Sequence, residues 1–599
     1  MSYQFSGGFE DLRFPNRLGS NKRPKRLAVC QDWGIDHPLT RYVGKSGLPI
    51  VDLDTYDLDH SLLVRLGADR CLNARVLPLR RPAGGTILAC GEPDAHRMLK
   101  TWPDDGSVSV ALADPVVIEE TILKTYEREL VRIAEEKREP SESCRNMRKV
   151  HVVWLMIVLA GVLGSIALAP EAVFLCATGV ALLGLGASCV LKFIALCGFV
   201  RHSQPIPRKP LGANAPRITP KITILLPLLN EERVAEDLIG SIEALHYPRQ
   251  FLEVLVLVEA KDALTKVALE RTMLPKHFRV IEVPVGRIKT KPRAMNYALA
   301  FATGDIVGIY DAEDQPEHDQ LLKVAAQFAV APAHVACLQG RLDYFNADAN
   351  IMARCFTLDY ASWFRLFLPA LVLFDLPVPL GGTTLFIRRS VLEKLRGWDA
   401  HNVTEDAELG MHLYRNGYRV GLLDSTTFEE ANCRVLPWIK QRSRWLKGYF
   451  ITWLMHMRHP RKCLYDMGIK GFVVFQLLMP GTVVSCAFAP LLWLFYPGLA
   501  GLEHPIFRVA PDGFDQAIIG LLLTATLLTI ITFVLGSLSK KHRHLLPWSP
   551  FLNLYFLLAT FAMWTALWET LRKPHHWHKT EHGFFDANGR FLKTRRRRS

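Results

Sequence analysis

Long uninterrupted apolar runs mark two regions of this chain. Runs near the ~20 helical residues that cross a hydrocarbon core lie at about 151–169, 172–200, 471–498, 515–537 and 548–571. Pro170 and Glu171 separate the first two runs. The pattern predicts a transmembrane hairpin at 151–200 and a second transmembrane region at 471–571.

Between these regions, from about 215 to 465, short apolar runs alternate with amphipathic ones. "KITILLPLLN", "LEVLVLVEA" and "GDIVGIYDAED" predict buried strands, whereas "EERVAEDLIGSIEALH" and "KPRAMNYALAFA" predict helices. Such alternation predicts a mostly parallel sheet with helices on both faces, which binds ligands at the carboxyl ends of its strands.

Residues 1–145 predict a small soluble α/β domain. "GLPIVDLD" and "GGTILACGEP" have strand patterns, and residues 114–137 predict a long helix that leads toward the membrane. The first ten residues lack the apolar segment of a cleavable signal peptide, so we expect insertion through the internal spans.

Charge and cysteine content narrow the class of protein. The 599 residues carry a formal net charge of +14, and the twelve cysteines form no C-x-x-C pair, which is typical of reduced thiols rather than a zinc ribbon or disulfide scaffold. Basic residues cluster beside the apolar runs, as at Arg145 and Arg201. This distribution favours a multi-pass membrane protein, with residues 215–465 in the cytoplasm, over a nucleic-acid-binding protein.

The side of the C-terminus is ambiguous. Three spans after residue 465 leave it outside, yet the tail (572–599) is basic and includes Arg595 to Arg598, which favours the cytoplasm. Either the run from 471 to 502 bends at its prolines into two short spans, or one segment is re-entrant, or the tail breaks the positive-inside rule. We expect five or six spans and favour an even number.

Carboxylates cluster where the strand "GDIVGI" ends. Asp311 and Glu313 are one residue apart in the loop that follows, a spacing suited to a divalent cation that also binds phosphate oxygens. Asp314 is an alternative to Glu313. Glu317 and Asp319 instead suit the first turn of the next helix.

Three later segments each have a structural explanation when taken alone. Glu405 and Asp406 open a helix, where acidic residues are favourable. "QRSRW" (441–445) lies on an amphipathic helix of the kind found beside membranes. "WFRLFLPALVLF" (363–374) is too short to span, and we expect an interfacial helix or a core helix.

In combination and in this order, "PLLNEE", "YDAED", "GGTTLF", "TED" and "QRSRW" resemble a membrane-embedded family 2 glycosyltransferase of the cellulose-synthase-like, processive kind, over about 218–460. The resemblance implies a GT-A (nucleotide-diphospho-sugar transferase) α/β domain inserted between transmembrane helices. Residues 1–130 more weakly resemble the N-terminal domain of type II secretion ATPases. Some relatives of that domain bind cyclic di-GMP, although a docking or regulatory module is the main expectation here.

The resemblance also assigns roles to residues. Asp406 would be the general base, beside Glu405, and Mg²⁺ or Mn²⁺ would be held by Asp311 with Glu313 or Asp314. The implied substrate-binding residues are Asn230, Glu231, Glu259 and Asp262 for the nucleotide, Arg444 for the diphosphate, Thr383, Thr384 and Trp445 for the acceptor, and Gln441 without a more specific role.

The implied activity is inverting, metal-dependent transfer from a UDP-sugar, with UDP-glucose expected, to a growing β-linked exopolysaccharide that passes through the membrane helices. Two alternatives stay open. One is a non-processive transferase that glycosylates a lipid carrier, and the other is a catalytically inactive, nucleotide-responsive membrane scaffold.

Overall fold

The computed structural model describes residues 46–81, 84–98, 108–147, 152–202, 219–231, 235–497 and 513–573. The arginine run of the tail lies outside these residues. Internal contacts divide the chain into a unit from Met1 to Thr125 and a unit from Tyr126 to Ser599.

The N-terminal unit contains a four-stranded sheet in the order β1–β2–β3–β4. Its elements are β1 Asp57–Leu58, α1 His60–Leu66, α2 Ala68–Ala74, β2 Val76–Arg80, β3 Thr86–Cys90, β4 Val108–Leu112 and the first part of α3 Pro115–Glu136. β3 and β4 are parallel, and the other pairs are antiparallel. The small α/β domain is therefore confirmed.

One predicted strand of this unit is wrong. "GLPIVDLD" forms an isolated bridge between Ile50 and Leu112, followed by a 3₁₀ turn at Leu53–Thr55. The Asp52 carboxylate accepts a hydrogen bond from the Asp54 backbone N–H at 3.2 Å. This local bond offers the backbone an alternative to a strand ladder.

The second unit contains an eight-stranded sheet in the order β7–β6–β5–β8–β11–β10–β12–β9. The strands are β5 Ile222–Leu228, β6 Leu252–Glu259, β7 Phe278–Val283, β8 Ile306–Ile309, β9 Gln315–Pro316, β10 Val335–Tyr344, β11 Leu385–Arg388 and β12 Arg419–Glu429. The helices between and after them are α6 Ala235–Glu243, α7 Ala263–Arg271, α8 Lys291–Ala298, α9 Gln320–Val330, α10 Ile351–Ser362, α11 Leu368–Leu373, α12 Arg389–Lys394, α13 Glu405–Arg415 and α14 Val435–His456.

Strand direction decides which loops meet. β5, β6, β7, β8, β10 and β12 run parallel, whereas β11 is antiparallel to β8 and β10, and β9 is antiparallel to β12. The sheet is therefore mixed, with the predicted parallel majority. Because β11 begins where β8 ends, the loop before β11 lies at the carboxyl edge together with the loop after β8.

The core of this unit explains why its strands read as continuous apolar runs. Ile224, Val254 and Val256 are fully buried and belong to one cluster with Leu238 and Ile242 from α6. Full burial of such a side chain contributes about 1.5–3 kcal/mol relative to exposure. This packing makes the sheet a rigid base for the loops at its edge.

Apolar helices precede and follow the eight-stranded sheet in the sequence. They are α4 Val152–Leu168, α5 Pro170–His202, α15 Pro460–Gln476, α16 Thr482–Trp493, α17 Phe514–Gly536 and α18 Leu552–Arg572. Among the residues that the structure describes, five helical runs are long and apolar enough to cross a membrane: Pro170–Arg201, Ile351–Leu373, Pro460–Trp493, Gln516–Gly536 and Arg543–Arg572. The number of spans stays a prediction.

Two of these runs differ from the sequence expectation. The segment 363–374 is not a separate short helix, because α10 continues through a π-helical turn at Trp363–Phe367 into α11. The resulting run is long enough to span, but 61% of its most apolar window is buried inside the protein. The prolines at 480 and 490 do not divide the later run, since Pro480 is accommodated in a π-helical turn at Leu477–Gly481.

Candidate active site

The loop after β8 and the loop before β11 meet at the carboxyl edge of the sheet. Thr384 donates its backbone N–H to the Ile309 carbonyl at 2.9 Å, and the Asp311 N–H lies 3.2 Å from the Thr383 hydroxyl oxygen. Thr383, which the sequence placed near the acceptor, therefore lies against the predicted metal acids.

Asp314 holds this pair of loops together. It is 1% exposed, and its Oδ2 accepts hydrogen bonds from the Asp311 backbone N–H at 2.7 Å and from the Thr383 hydroxyl. Its other oxygen, Oδ1, is buried without a hydrogen-bond partner. Burial, with the neighbouring charges of Asp311 and Glu313, raises the pKa of Asp314 well above its ordinary value.

The unpartnered oxygen of Asp314 provides a test of whether these residues suit a divalent cation. Among the described residues, no group of three or more His, Cys, Asp or Glu side chains is arranged to enclose a metal. Mg²⁺, however, commonly binds one or two carboxylates and completes its shell with water and substrate phosphate. Asp311 and Asp314 fit an open site of this kind, in which a cation would also satisfy Asp314 Oδ1.

Lys291, which the sequence analysis did not select, lies at the centre of the site. From the first position of α8, its ammonium donates to the Asp311 carboxylate and, at 3.0 Å, to the Gly382 carbonyl. Burial alone would lower the pKa of Lys291, but the carboxylates of Asp311, Glu405 and Asp406 raise it. The basic stretch "RIKTK" before a helix was the available sequence signal.

Asp406 and Glu405 occupy the first turn of α13, after the cap residue Thr404. An ideal Cβ on Gly382 would lie 2.8 Å from Asp406 Oδ2, so Asp406 faces the same loop that receives Lys291. Burial raises the pKa of Asp406, opposed by the Ala407 N–H and by the charges of Lys291 and Arg444. Burial and the Asp406 charge raise the pKa of Glu405 to about 8.

The predicted nucleotide-side residues lie at the ends of β5 and β6. Asn230 has a positive φ of 52°, and its backbone N–H donates to Asp262 Oδ2 at 2.6 Å. Asp262 also caps α7 by accepting from the Thr265 N–H at 3.1 Å and the Thr265 hydroxyl at 2.7 Å. These bonds give Asp262 a clear role in shaping the loop that carries Asn230.

Two further predicted nucleotide residues are tied to neighbouring groups. Glu259 is 8% exposed and accepts from Arg293 at 2.6 Å. Burial raises the pKa of Glu259, opposed by Arg293. The Glu231 backbone N–H donates to the Thr265 hydroxyl at 2.9 Å.

The "QRSRW" helix, α14, packs Trp438 and Trp445 into an aromatic cluster. Arg442 lies 4.6 Å from the Trp445 ring centroid and 5.1 Å from that of Trp438, and it forms an ion pair with Asp359. Gln441 accepts from the Asn432 amide at 2.8 Å. Arg442 was missed because its partner lies on α10, far away in the sequence.

The site thus combines the predicted metal acids, the predicted base and the unpredicted Lys291 around one loop. The metal acids contact Thr383, Lys291 bridges Asp311 to Gly382, and Asp406 faces Gly382. Residues 306–564 match the family model for glycosyl transferase family group 2, and residues 46–132 match the MshEN domain. The chain contains a family 2 glycosyltransferase domain. The predicted enzyme class and GT-A fold class are confirmed, as is the relation of the N-terminal domain to secretion-ATPase domains.

Three curated relatives of the glycosyltransferase domain are named for different activities. A probable glycosyltransferase, YdaM, of Bacillus subtilis is 26% identical over 292 residues, which are 45% of this chain and 65% of the relative. A beta-monoglucosyldiacylglycerol synthase of Synechocystis sp. is 27% identical over 295 residues, 48% of this chain and 60% of the relative. A probable glucomannan 4-beta-mannosyltransferase of Arabidopsis thaliana is 26% identical over 237 residues, 38% of this chain and 43% of the relative.

The chain therefore spans less than two thirds of the length of each of these three relatives. Among solved structures, the mannosyltransferase PcManGT of Pyrobaculum calidifontis, in complex with GDP-Man and Mn²⁺, aligns with a TM-score of 0.43 at 20% identity. The alignment covers 67% of this chain and 99% of that one.

Proposed function

We propose that the protein is an inverting, metal-dependent membrane glycosyltransferase that uses a UDP-sugar, with UDP-glucose as the first candidate, to extend a β-linked exopolysaccharide. The observation that carries this proposal is the convergence of Asp311, Lys291 and Asp406 on the loop at Gly382. A donor diphosphate needs positive charge and a metal ion beside it, and an acceptor hydroxyl needs a base. The loop at Gly382 brings the groups for both needs, Lys291 with Asp311 and Asp406, to one place.

Asp406 is the proposed general base. It would accept the proton of the acceptor hydroxyl as the hydroxyl oxygen attacks the anomeric carbon from the face opposite the departing UDP, so the configuration inverts. Its raised pKa brings its basicity closer to neutral pH, which improves proton acceptance. Glu405 would hold a proton through much of the neutral range and so limit repulsion at Asp406.

The donor diphosphate would lie between Lys291 and Arg444. Asp311 and Asp314 would hold Mg²⁺ or Mn²⁺, and the unpartnered Asp314 Oδ1 favours Asp314 over Glu313 as the second ligand. A cation there would neutralise the charge that develops on the leaving diphosphate. Lys291 is well placed to add a second positive charge, because it already faces Asp311.

The nucleotide would bind beside β5 and β6, where Asn230 and Glu231 follow a strand end and Glu259 and Asp262 shape the adjacent loop. Trp445 would stack against an acceptor sugar. Arg442, which lies over the Trp445 indole, would hold that indole in place. Gln441 lies one turn earlier on the same helix.

The acceptor has two candidates. Trp445 and the flanking apolar helices favour a growing polysaccharide as the acceptor. The beta-monoglucosyldiacylglycerol synthase relative favours the alternative of a lipid acceptor. In either case, we propose an inner-membrane protein with its catalytic domain in the cytoplasm and an N-terminal domain, 1–145, that docks a partner or binds cyclic di-GMP.

Membrane vesicles incubated with a panel of labelled UDP-sugars and Mg²⁺ test this proposal. We expect incorporation of one sugar into a high-molecular-weight polymer, with loss of incorporation in Asp406→Asn and loss of metal-dependent UDP binding in Asp311→Ala. Label in the chloroform-soluble fraction alone would support the lipid acceptor. No transfer from any donor, despite retained UDP binding, would support an inactive scaffold.

A further inference from the structure

The segment of residues 134–146, here called the linker, consists of the last residues of helix α3 and the short turns that follow it. It precedes the glycosyltransferase match by 160 residues, yet it packs within the catalytic unit. Its side chains at Glu135, Arg138 and Ser143 are 6%, 2% and 2% exposed. Charged side chains are seldom buried so completely without specific partners.

One set of linker contacts reaches the loop that leads to Lys291. Glu135 Oε1 accepts backbone hydrogen bonds from Arg287 at 2.6 Å and from Ile288 at 3.3 Å. The Ala134 carbonyl accepts from the Asn296 amide on α8 at 3.1 Å. The linker therefore holds both the approach to Lys291 and the helix that Lys291 begins.

A second set reaches the segment that leads to Asp406. Arg138 donates to the Gly397 carbonyl at 2.9 Å and to Glu408 at 3.4 Å. Glu408 is fully buried and lies two residues after Asp406 on α13. The Asp399 carboxylate accepts from the Ser143 hydroxyl at 2.8 Å and from the Cys144 N–H at 2.7 Å.

We propose that Glu135 and Arg138 are positioning residues of the transfer reaction, which hold the Lys291 loop and the Asp406 helix at a fixed separation across the donor site. The inference rests on the proposed roles of Lys291 and Asp406. Neither linker residue touches the substrate. Glu135 acts through the backbone before Lys291 and so sets the position of Lys291. Arg138 acts through Gly397 and Glu408 and so sets the position of Asp406.

A positioning role differs from simple structural support in what a mutation changes. A structural role lowers the amount of folded enzyme, whereas a positioning role lowers turnover by each folded molecule. A misplacement of about 1 Å in a reacting group can lower the rate about 10²-fold. Conservative substitutions are therefore enough to reveal a positioning role. Arg138→Lys keeps the charge but not the two-point contact, and Glu135→Gln keeps the shape but not the charge.

The test uses the full chain in membrane vesicles with Mg²⁺ and the labelled UDP-sugar that the wild type incorporates, UDP-[¹⁴C]glucose first. Turnover is expressed per UDP-binding site, and the donor KM and the thermal midpoint are measured alongside. We expect Arg138→Lys and Glu135→Gln to lower kcat per site at least fivefold, with the donor KM within twofold of wild type in Arg138→Lys, which acts on the Asp406 helix. Glu139→Gln is the matched control, because Glu139 pairs with Arg396 on the surface with 52% of its side chain exposed, and it should behave as wild type.

Wild-type kcat per site in both linker variants would overturn the proposal, even with a lowered thermal midpoint, and would leave the linker a structural role. A raised donor KM at unchanged kcat would also overturn it. If Arg138→Lys does not accumulate, Arg138→Met/Glu408→Gln removes both buried charges and should show the same loss of kcat. The proposed base fails separately, through retained transfer in Asp406→Asn.

Discussion

Asp406 faces Gly382 across the site. Gly382 has a φ of +80°, and a Cβ added there would lie 2.8 Å from Asp406 Oδ2. The glycine thus allows two things that other residues allow poorly, a left-handed backbone and a close carboxylate. The Gly382 carbonyl also accepts from Lys291 at 3.0 Å, so this residue connects the proposed base to the donor side.

Gly382→Ala should lower the transfer rate about 10²-fold, because the methyl group displaces the Asp406 carboxylate. UDP affinity should change little, since the nucleotide residues lie at β5 and β6. Steady-state kinetics and UDP titration check this expectation. Gly417→Ala is the control, because Gly417 also has a positive φ but has open space around its Cβ position. Equal losses in the two variants would assign the effect to backbone strain.

Lys291→Met should lower transfer by about 10²-fold, in the range seen when one electrostatic donor is removed from a transition state. The change removes the ammonium group that pairs with Asp311. It also removes a positive charge from the proposed diphosphate site. UDP affinity in the presence of Mg²⁺ should also weaken. The surface control is Lys323→Met, whose ammonium pairs with Glu317 and Asp319. If Lys291→Met binds UDP and turns over like this control, Lys291 has no role in the site.

Gly448→Ala should disturb the helix of the proposed base. α14 approaches Thr404 so closely that a Cβ at Gly448 would lie 2.0 Å from the Thr404 hydroxyl and 2.6 Å from its Cβ. Thr404 is buried at the N-cap position of α13, so we expect the start of the helix that carries Asp406 to shift. We expect reduced kcat and a lowered thermal midpoint. Gly240→Ala, in α6 with open space around it, should leave both unchanged.

The pH profile of transfer should have an acid limb above the ordinary carboxylate range. The base must be ionised, so the rate rises with pH through the apparent pKa of the Glu405 and Asp406 pair. Burial raises the pKa of both groups, to about 8 for Glu405. Lys291 favours their ionised forms, so Lys291→Met should move the acid limb to higher pH. An unshifted limb in that variant would show that Lys291 does not act on the pair.

Much of the fold could be predicted because the strands are buried on both faces. In the sequence, β5, β6 and β8 are apolar runs that end in polar residues. This pattern predicts both the strand and the position of its carboxyl end. The direction of β11 has no such signature. Its antiparallel course is what brings Thr383 to Asp314 rather than leaving it with the acceptor residues.

Two of the missed residues share one physical cause, which is that their partners are distant in the sequence. Arg442 pairs with Asp359, and Arg138 pairs with Glu408, 270 positions away. Patterns within a short window reveal helices and strands but not such pairs. Lys291 is different, because the basic stretch that contains it is visible in the sequence. Only the structure, however, shows that Lys291 faces Asp311 at the edge of the sheet.

The most direct test of the central claim compares transfer and UDP binding in Asp406→Asn. The amide keeps the shape of the side chain but cannot accept the proton, so we expect transfer to fall below about 1% of wild type, with UDP affinity within twofold. Asp424→Asn is the control, because Asp424 is a surface residue with 64% of its side chain exposed. Transfer by Asp406→Asn at the rate of this control would contradict the assignment of Asp406 as the general base.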